Sequence, residues 1–451
     1  MSGTKVFHKS VIGAGHNASG KPCQDYSASL DENGIQLAIV SDGHGGATYV
    51  RSDRGARIAV EVAKNLLANF GRCISNSIFS GKTFSITAKP KRNPFVDADG
   101  KKLRYEDLDD TQKQYARQAK AYLEAEPKCQ EQQKAISELI DCLYSGWLSE
   151  IEKDSKEHPF TRKEEKALNG EPLPKAYGCT LLAFLRTEYY WLALQIGDGS
   201  IYCCDKNMSW KKPVPDDCNC FLNYTTSLCD SNPLTEFRYA FNGNGDFPLA
   251  AILCSDGVDG SLRTDESLQD FYDQIIGLHI DGDDVDKELT DYLPTLSKNG
   301  NKDDISLAGV VDLTNSDIDA LKTAMDLKSK ERSISNECRS RKVEIDSIAR
   351  KIESLEIKFE HQKEARFIKQ SELDELRRDI RIKEKDLADV EEKVTAAKNE
   401  IKSLKSALEK KKAEFDNWKF TIKNEMAELE ESQNENGNTV TGEKRSDLTN
   451  W

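Results

Sequence analysis

Long apolar runs are missing from the sequence, and none approaches the roughly 18 residues that a membrane-spanning helix needs. Its first residues also lack the apolar core of an export signal. We therefore expect a cytoplasmic protein that does not enter a membrane. In that compartment its twelve cysteines would be reduced thiols.

Paired C-x-x-C spacings are absent as well, which argues against the common zinc folds. A looser cluster along the chain consists of Cys203, Cys204, Cys218, Cys220 and Cys229. Ordinary thiols are the favoured interpretation, and the sequence leaves open whether this cluster binds a metal.

An excess of positive charge is also missing. The chain has 64 lysines and arginines against 78 aspartates and glutamates, a formal net charge of -14. Proteins that bind nucleic acid by neutralising its phosphates carry the opposite balance. We therefore exclude nucleic acid as a partner.

Glycine and proline are absent between Ser316 and Asn436. Apolar residues recur there in steps of three and four from Ile345 to Ile422, which is typical of a coiled coil. One helix cannot bury such a stripe alone, so we expect self-association or another helical protein as partner. Three successive positions of this stripe carry polar or charged residues instead: Gln362, Arg366 and Lys369. A bend, a register skip or a hairpin at that point stays open.

These features divide the chain. Residues 1–315 form the first domain, residues 316–432 the coiled coil, and residues 433–451 a polar tail that we expect to be disordered. Within the first domain, residues 73–175 differ in composition and are interpreted as a helical insertion.

The stretch Asp42-Gly43-His44-Gly45-Gly46 follows a short apolar run that is typical of a buried strand. A helical pattern begins soon after it. A carboxylate, a glycine with its accessible backbone and an imidazole in succession suit the binding of a charged group. Taken alone, the stretch is equally well explained as an ordinary Asp-Gly turn.

Three further aspartate turns adjoin strand-like runs: Gly197-Asp198-Gly199, Ser255-Asp256-Gly257 and Asp303-Asp304. Carboxylates at the ends of neighbouring strands can converge on one point. Oxygen ligands of this kind suit hard cations such as Mg²⁺ or Mn²⁺ rather than zinc. Four such turns favour a metal site over chance.

In this order the motifs resemble those of the 2C-type metal-dependent serine/threonine protein phosphatases. Gly178-Cys179-Thr180 resembles a further strand of that family. The resemblance covers about residues 6–313, interrupted by 73–175. It implies an α+β fold, a four-layer α-β-β-α sandwich of two antiparallel sheets flanked by helices, here followed by the long coiled coil.

The resemblance also implies an enzyme that hydrolyses phosphoserine and phosphothreonine in proteins, reversing a kinase in signalling. Asp42 would bridge two Mg²⁺ or Mn²⁺ ions, one of which the Gly43 carbonyl also binds. Asp256 and Asp303 would complete one ion's ligands, and Asp198 would hold a third. A water bridging the two ions would attack phosphorus while His44 protonates the departing alkoxide.

Three positions depart from the family pattern. Gly260 stands four residues after Asp256, where the family often has an acid, and Asp259 lies one residue short of it, which weakens the expectation of a third ion. Gln24-Asp25 stands where Glu-Asp is common, so Asp25 would contribute more to the metal than Gln24. The family's phosphate-binding arginine is replaced by Gly20, so phosphate binding would fall to Lys21 or His16 or be lost. These departures motivate an alternative, a catalytically weak phosphatase-like domain that acts as a phosphoprotein-binding scaffold through its coiled coil.

Other motifs fit less well. Gly15 to Lys21 matches most of a phosphate-binding P-loop, but Pro22 stands where that loop needs Ser or Thr. Asp97 and Asp99 are interpreted as a loop, because no strongly apolar strand precedes them and Lys102 breaks the EF-hand pattern.

Overall fold

The computed structural model describes residues 3–74, 76–87, 95, 102–125, 129–217, 225–314, 316–361 and 366–435. The chain forms two compact units, one ending at Ser316 and the other beginning at Asp317. Each unit is described by itself.

Strands and helices alternate irregularly along the first unit. In chain order the described strands are β1 (Lys5–Val11), β2 (Tyr26–Glu32), β3 (Ile35–Ser41), β4 (Thr83–Ile86), β5 (Leu181–Arg186), β6 (Trp191–Ile196), β7 (Ser200–Cys204), β8 (Trp210–Lys211), β9 (Arg238–Asn242), β10 (Ala250–Cys254) and β11 (Ile305–Val311). The described helices are α1 (Ala14–Ser19), α2 (Ser52–Cys73), α3 (Asn76–Phe79), α4 (Asp110–Ala125), α5 (Gln130–Glu157), α6 (Arg162–Leu168), α7 (Leu173–Ala176), α8 (Asp256–Leu262), α9 (Asp265–Asp281), α10 (Val285–Asn299), α11 (Ile318–His361) and α12 (Arg366–Glu435).

Two antiparallel sheets form the centre of the first unit. Their strand orders are β1-β11-β10-β7-β8 and β2-β3-β5-β6-β9-β4. Strand β3 is buried along its whole length. Successive side chains point to opposite faces of a sheet, so a strand that is apolar throughout needs cover on both. Ala38 and Val40 pack between the sheets, whereas Leu37 and Ile39 pack under helices.

Helices complete the two outer layers. Helices α2 and α5 pack together and cover the second sheet, and the indole nitrogen of Trp147 on α5 donates to the Gly55 carbonyl on α2 at 3.2 Å. Helices α8 and α10 pack against strands of the first sheet, and Tyr272 of α9 contacts the ring of Tyr202 in β7. The predicted four-layer α-β-β-α sandwich is therefore confirmed.

The segment at residues 73–175 contributes to this sandwich. Strand β4 pairs with β9 at one edge of the second sheet. Arg51 of the core donates to Glu164 of α6 at 2.9 Å, and Arg54 donates to Asp154 of α5 at 3.1 Å. A segment joined to the core by a strand, a buried helix and ion pairs is part of the fold's hydrophobic centre.

The second unit is a helical hairpin of α11 and α12. Ion pairs link Lys330 to Glu400 at 3.7 Å and Arg341 to Asp386 at 3.5 Å. Residue numbers rise along one helix as they fall along the other, so the two helices are antiparallel. Helix α11 ends at His361 and α12 begins at Arg366, and Gln362 of the weakened part of the apolar stripe lies outside the described residues.

Helix α12 continues to Glu435, three residues into the predicted tail, and the rest of that tail lies outside the described residues. None of the helices that the structure describes combines the length and apolar character required to cross a membrane.

Candidate active site

The site begins where β3 ends. The Asp42 amide donates to the Thr180 hydroxyl at 3.0 Å, and the Thr180 amide returns a bond to the Asp42 carbonyl at 2.8 Å. A Cβ on Gly43 would lie 2.5 Å from the Gln24 carbonyl oxygen and 2.7 Å from that of Ser52. Because these obstacles are backbone atoms, only glycine fits, and Asp42 is held in one position.

Three carboxyl groups meet at this point. Asp25 precedes β2 and bonds the Ser255 side chain, while Asp256 opens α8 and shares a hydrogen bond with Asp42. Burial, followed by neighbouring aspartates, raises the pKa of Asp42 well above its usual range, and burial likewise raises that of Asp25. Burial and the surrounding carboxylates bring the pKa of Asp256 to about 6, against an opposing bond from Asp42.

Two more carboxylates stand at the rim. Asp198 and Asp303 are exposed, and the field of each raises the pKa of Asp256. The Thr225 hydroxyl donates to Asp198, and Asp303 accepts the amide of Asp304 at 2.9 Å. All five predicted aspartates are therefore brought into one electrostatically coupled region.

The composition of this region fits a divalent cation. The Asp25 Oδ2 atom is buried and has no hydrogen-bond partner among the described residues. The charges that act most on the cluster are other carboxylates. Within the described parts of the chain, no three His, Cys, Asp or Glu side chains already stand in ligand geometry for one ion. Mg²⁺ and Mn²⁺ prefer hard oxygen ligands such as carboxylates.

Gln24 and Asp304 line the wall beside the cluster. The side-chain nitrogen of Gln24, Nε2, donates to the Ser52 hydroxyl at 2.5 Å and to the His44 carbonyl at 3.2 Å. The side-chain oxygen of Gln24, Oε1, is buried and has no hydrogen-bond partner among the described residues. The Asp304 carboxylate accepts hydrogen bonds from the backbone amides of Gly13 and Gln24, both at 2.6 Å. Asp304 thereby fixes the loop that carries Gln24 and Asp25, a role that the sequence reasoning missed. A second acid beside Asp303 was the available signal.

The two residues predicted to contact phosphate differ in their surroundings. His16 lies in α1, and its Nδ1 atom is 2.8 Å from the Asp304 carboxylate. Lys21 is exposed after the left-handed turn at Gly20. Their contact with phosphate remains a prediction.

His44 is held on three sides. Its amide donates to the Gly178 carbonyl at 3.1 Å, its ring packs edge-on against Tyr49, and its Nε2 atom is 2.7 Å from the Ser227 hydroxyl. Burial lowers the pKa of His44 to about 4, with Asp198 raising it and Lys175 lowering it. The imidazole is therefore neutral around pH 7.

A lysine beside His44 was not anticipated from the sequence. Lys175, at the end of α7, places its Nζ 4.9 Å from the centre of the Tyr49 ring. The Lys175 ammonium donates a hydrogen bond to the Tyr49 side chain, which raises the pKa of Lys175 more than partial burial lowers it. Its position three residues before the Gly178 motif was the only signal in the sequence.

Asp259 lies three residues after Asp256, and its charge helps to raise the pKa of that residue. It accepts the Ser200 hydroxyl at 2.6 Å and contacts the Cys254 thiol at 3.4 Å. A Cβ at Gly260 would lie 2.5 Å from the Asn301 amide nitrogen, which explains the glycine.

The cysteine cluster offers no metal site among its described members. Cys204 contacts the Met208 sulphur at 3.9 Å, Cys229 contacts the Ser227 hydroxyl at 3.3 Å, and Cys203 is partly buried. Cys218 and Cys220 lie outside the described residues.

A family model described as protein phosphatase 2C matches residues 12–294, and the chain belongs to that family. No curated protein matches the sequence significantly. Similar solved structures include the serine/threonine phosphatase Stp1 from Staphylococcus aureus, with 11% identity over 69% of this chain and 95% of that one, at a TM-score of 0.36. Another is PppA of Pseudomonas aeruginosa, with 15% identity over 69% and 98% of the two chains and a TM-score of 0.34. The catalytic domain of PstP, described in complex with two manganese ions, has 13% identity over 68% and 98%, with a TM-score of 0.37.

Proposed function

We propose that this chain is a metal-dependent protein serine/threonine phosphatase. The observation that carries the proposal is the meeting of Asp25, Asp42 and Asp256, with a buried Asp25 oxygen left unpartnered by the described protein. A cluster of carboxylates with raised pKa values is costly to fold unless a cation compensates for it.

The chain would hold two ions of Mg²⁺ or Mn²⁺, with Asp42 as the shared ligand. The Gly43 carbonyl, Asp25, Asp256 and Asp303 would supply further ligands, and Gln24 Oε1 is a buried neutral oxygen with no hydrogen-bond partner among the described residues. Exposed Asp198 is the proposed ligand of a third ion. When bound, such ions neutralise phosphate oxygens and make a bridging water acidic enough to act as the nucleophile.

His44 is the proposed general acid. Ser227 and Tyr49 fix the orientation of its ring, so a proton on it can be given to the departing serine or threonine oxygen. Burial keeps its pKa low in the free protein, and Asp198 already acts in the opposite direction. A phosphate dianion beside the ring would also raise the pKa of His44, as Asp198 does.

Positively charged side chains that bind the substrate phosphate would come from two sides of the site. His16 and Lys21 stand on the side of Gln24, as predicted from the sequence. Lys175 stands on the side of His44, on which its charge already acts. We assign Lys175 the larger share, because Tyr49 holds it in place, whereas Lys21 is exposed.

The substrate would be a phosphorylated protein, and the helical hairpin would serve self-association or the binding of another helical protein. None of the ten cysteines that the structure describes is joined in a disulfide, which supports the cytoplasm as the working compartment. A second candidate is a phosphoprotein-binding scaffold of low activity. Gln24 favours it, because an amide stands where the family commonly has a carboxylate.

Release of phosphate from phosphoserine and phosphothreonine peptides with and without Mn²⁺ tests the proposal. The wild type is expected to need the metal, and Asp42→Asn to lose at least ~10²-fold in kcat/KM. Asp291→Asn, an exposed acid on α10, serves as the control and is expected to keep full activity. Peptide binding without hydrolysis would establish the scaffold instead.

A further inference from the structure

The Ser227 hydroxyl lies where several polar groups meet behind His44. The Ser227 residue is 1% exposed. Its Oγ atom donates to the Cys179 carbonyl at 3.0 Å and lies 2.7 Å from the Nε2 atom of His44. The backbone amide of Cys229 donates to the same oxygen at 3.3 Å. A serine hydroxyl has one hydrogen to donate and two lone pairs that accept, so these contacts are enough to use all of them.

The directions of these hydrogen bonds assign the hydrogen atoms of the His44 ring. A carbonyl oxygen can only accept, so the single hydrogen of Ser227 is given to Cys179. The Cys229 thiol, 3.3 Å from the Ser227 oxygen, is a weak acceptor and does not compete for that hydrogen. The Ser227 oxygen can therefore only accept from His44, so the Nε2 atom of His44 carries a hydrogen. In a neutral imidazole the other nitrogen, Nδ1, is then an acceptor without a hydrogen.

The surroundings of Ser227 and His44 hold this arrangement in place. The Ser227 amide donates to the Asp230 carboxylate at 3.0 Å, and the Asp230 amide donates to the Ser227 carbonyl at 3.1 Å. On its other side the His44 ring packs edge-on against Tyr49, with ring centres 4.8 Å apart. A half-turn of the imidazole would place a carbon atom beside the Ser227 oxygen and lose the hydrogen bond. The ring is therefore held in one orientation.

We propose that Ser227 is a positioning residue that fixes His44 as a donor through Nε2 and leaves Nδ1 as the nitrogen that meets the substrate. Among the described residues, none forms a hydrogen bond with Nδ1. The assignment deepens the general-acid role proposed for His44, and its catalytic consequence rests on that role. The hydrogen bond itself does not depend on catalysis.

The proton transfer is then specified atom by atom. When the bond from phosphorus to the serine or threonine oxygen breaks, that oxygen takes the proton from Nδ1 and leaves as an alcohol. The electron pair of the N–H bond stays on Nδ1, so the ring becomes neutral, and Nε2 keeps its hydrogen in the bond to Ser227. The attacking water supplies the new oxygen–phosphorus bond. The proton that this water loses restores the charge of the ring for the next turnover.

Nuclear magnetic resonance of the full chain, with heavy nitrogen in its six histidines and without metal, tests the assignment. His44→Gln identifies the His44 signals by their loss. At neutral pH we expect a hydrogen on Nε2 that exchanges slowly with water, because it is bonded to a buried oxygen, and this slow signal should disappear in Ser227→Ala. A wild type without a slowly exchanging hydrogen on Nε2, or a signal that persists in Ser227→Ala, overturns the proposal. The wild-type spectrum tests the assignment whether or not Ser227→Ala folds.

Two substrates separate positioning from a general effect on folding. A phosphoserine peptide releases an alkoxide that needs a proton, whereas p-nitrophenyl phosphate releases a stable phenolate that does not. Ser227→Ala should therefore lower kcat at least ~10-fold for the peptide and less than ~3-fold for p-nitrophenyl phosphate. Ser227→Thr keeps the hydroxyl and should restore most of the activity on the peptide. Equal losses on both substrates would show that Ser227 acts only through folding, which overturns its positioning role.

Thr187→Val is the matched control. Thr187 is also buried, at 5% exposed, and its hydroxyl donates to the Tyr190 carbonyl at 3.0 Å, but it follows the end of β5 that lies away from Thr180. The variant loses a comparable hydrogen bond and should keep both activities. The ring hydrogen is measured without substrate. An inactive chain with a slow Nε2 hydrogen therefore keeps the assignment and sinks the phosphatase, while an active chain without it does the reverse.

Discussion

Asp256→Asn is expected to stabilise the metal-free protein while removing its response to metal. The pKa of Asp256 is about 6 in the fold against 3.8 ordinarily, mainly because the group is buried. A folded state with a raised carboxyl pKa binds its proton more tightly than the unfolded chain does. Stability of the metal-free wild type therefore falls as pH rises between those two values.

A shift of about two pKa units corresponds to about 3 kcal/mol, which is the upper limit of the effect at neutral pH. An asparagine side chain cannot ionise, so the variant escapes this loss and should melt roughly 5–10 °C above the metal-free wild type. The difference should vanish below the ordinary carboxyl pKa of 3.8, where both proteins are uncharged at this position in either state.

Manganese should cancel the advantage of the variant. At ~100 times its Kd the ion adds about 2.7 kcal/mol to the wild type, and the variant lacks the ligand needed to gain as much. The assay is thermal unfolding at acidic and neutral pH, after chelation and again with Mn²⁺, with Asp291→Asn as the control. A metal-free variant that melts below the wild type at neutral pH, or an equal gain from Mn²⁺ in both, refutes the reasoning.

Three other substitutions test separate parts of the account. Gly43→Ala should lower phosphatase activity roughly 10²-fold, because its Cβ would lie 2.5 Å from the Gln24 carbonyl. Gly45→Ala, whose Cβ would meet nothing closer than 3.8 Å, should be active, and equal activities would contradict the steric explanation. Lys175→Ala should raise KM for a phosphopeptide roughly tenfold with little change in kcat, and Lys175→Arg should rescue it. An unchanged KM would mean that Lys21 and His16, rather than Lys175, bind the substrate phosphate. Trp147→Ala should cost about 3–5 kcal/mol in urea unfolding, since the indole is 1% exposed and bonds the Gly55 carbonyl, and a loss under ~1 kcal/mol would show that α5 is peripheral.

Much of the sandwich could be predicted because its signals are local. The run before Asp42 is apolar on both faces, and such a run indicates a strand covered by two layers. The aspartate turns could be predicted for the same reason, since each adjoins a strand that fixes where the carboxylate lies. Their order along the chain then matched one family.

The elements that the sequence did not predict depend on distant residues. Gly197 adopts a φ of 110°, and the chain crosses from the second sheet to the first there. A Cβ on Gly197 would lie 2.5 Å from the Thr180 side chain, a clash that no local pattern reveals. The conformation of strand β9 is decided by its pairing with β4 and β6, which lie far from it along the chain.

Roles carried by tertiary partners were also beyond the sequence. Asp304 looks like a spare acid until the Gly13 and Gln24 amides are seen to bond it. Lys175 belongs to the site only because α7 returns the chain to Tyr49. The hairpin was one of several alternatives, since the heptads do not state which helix faces which.

The most direct test of the metal centre is the binding isotherm of Mn²⁺ to the full chain by calorimetry, for the wild type and Asp42→Asn. We expect at least two ions bound by the wild type, with both lost together when the shared ligand becomes an amide. A wild type that binds no Mn²⁺, or an Asp42→Asn protein that binds it unchanged, would contradict a two-ion centre bridged by Asp42.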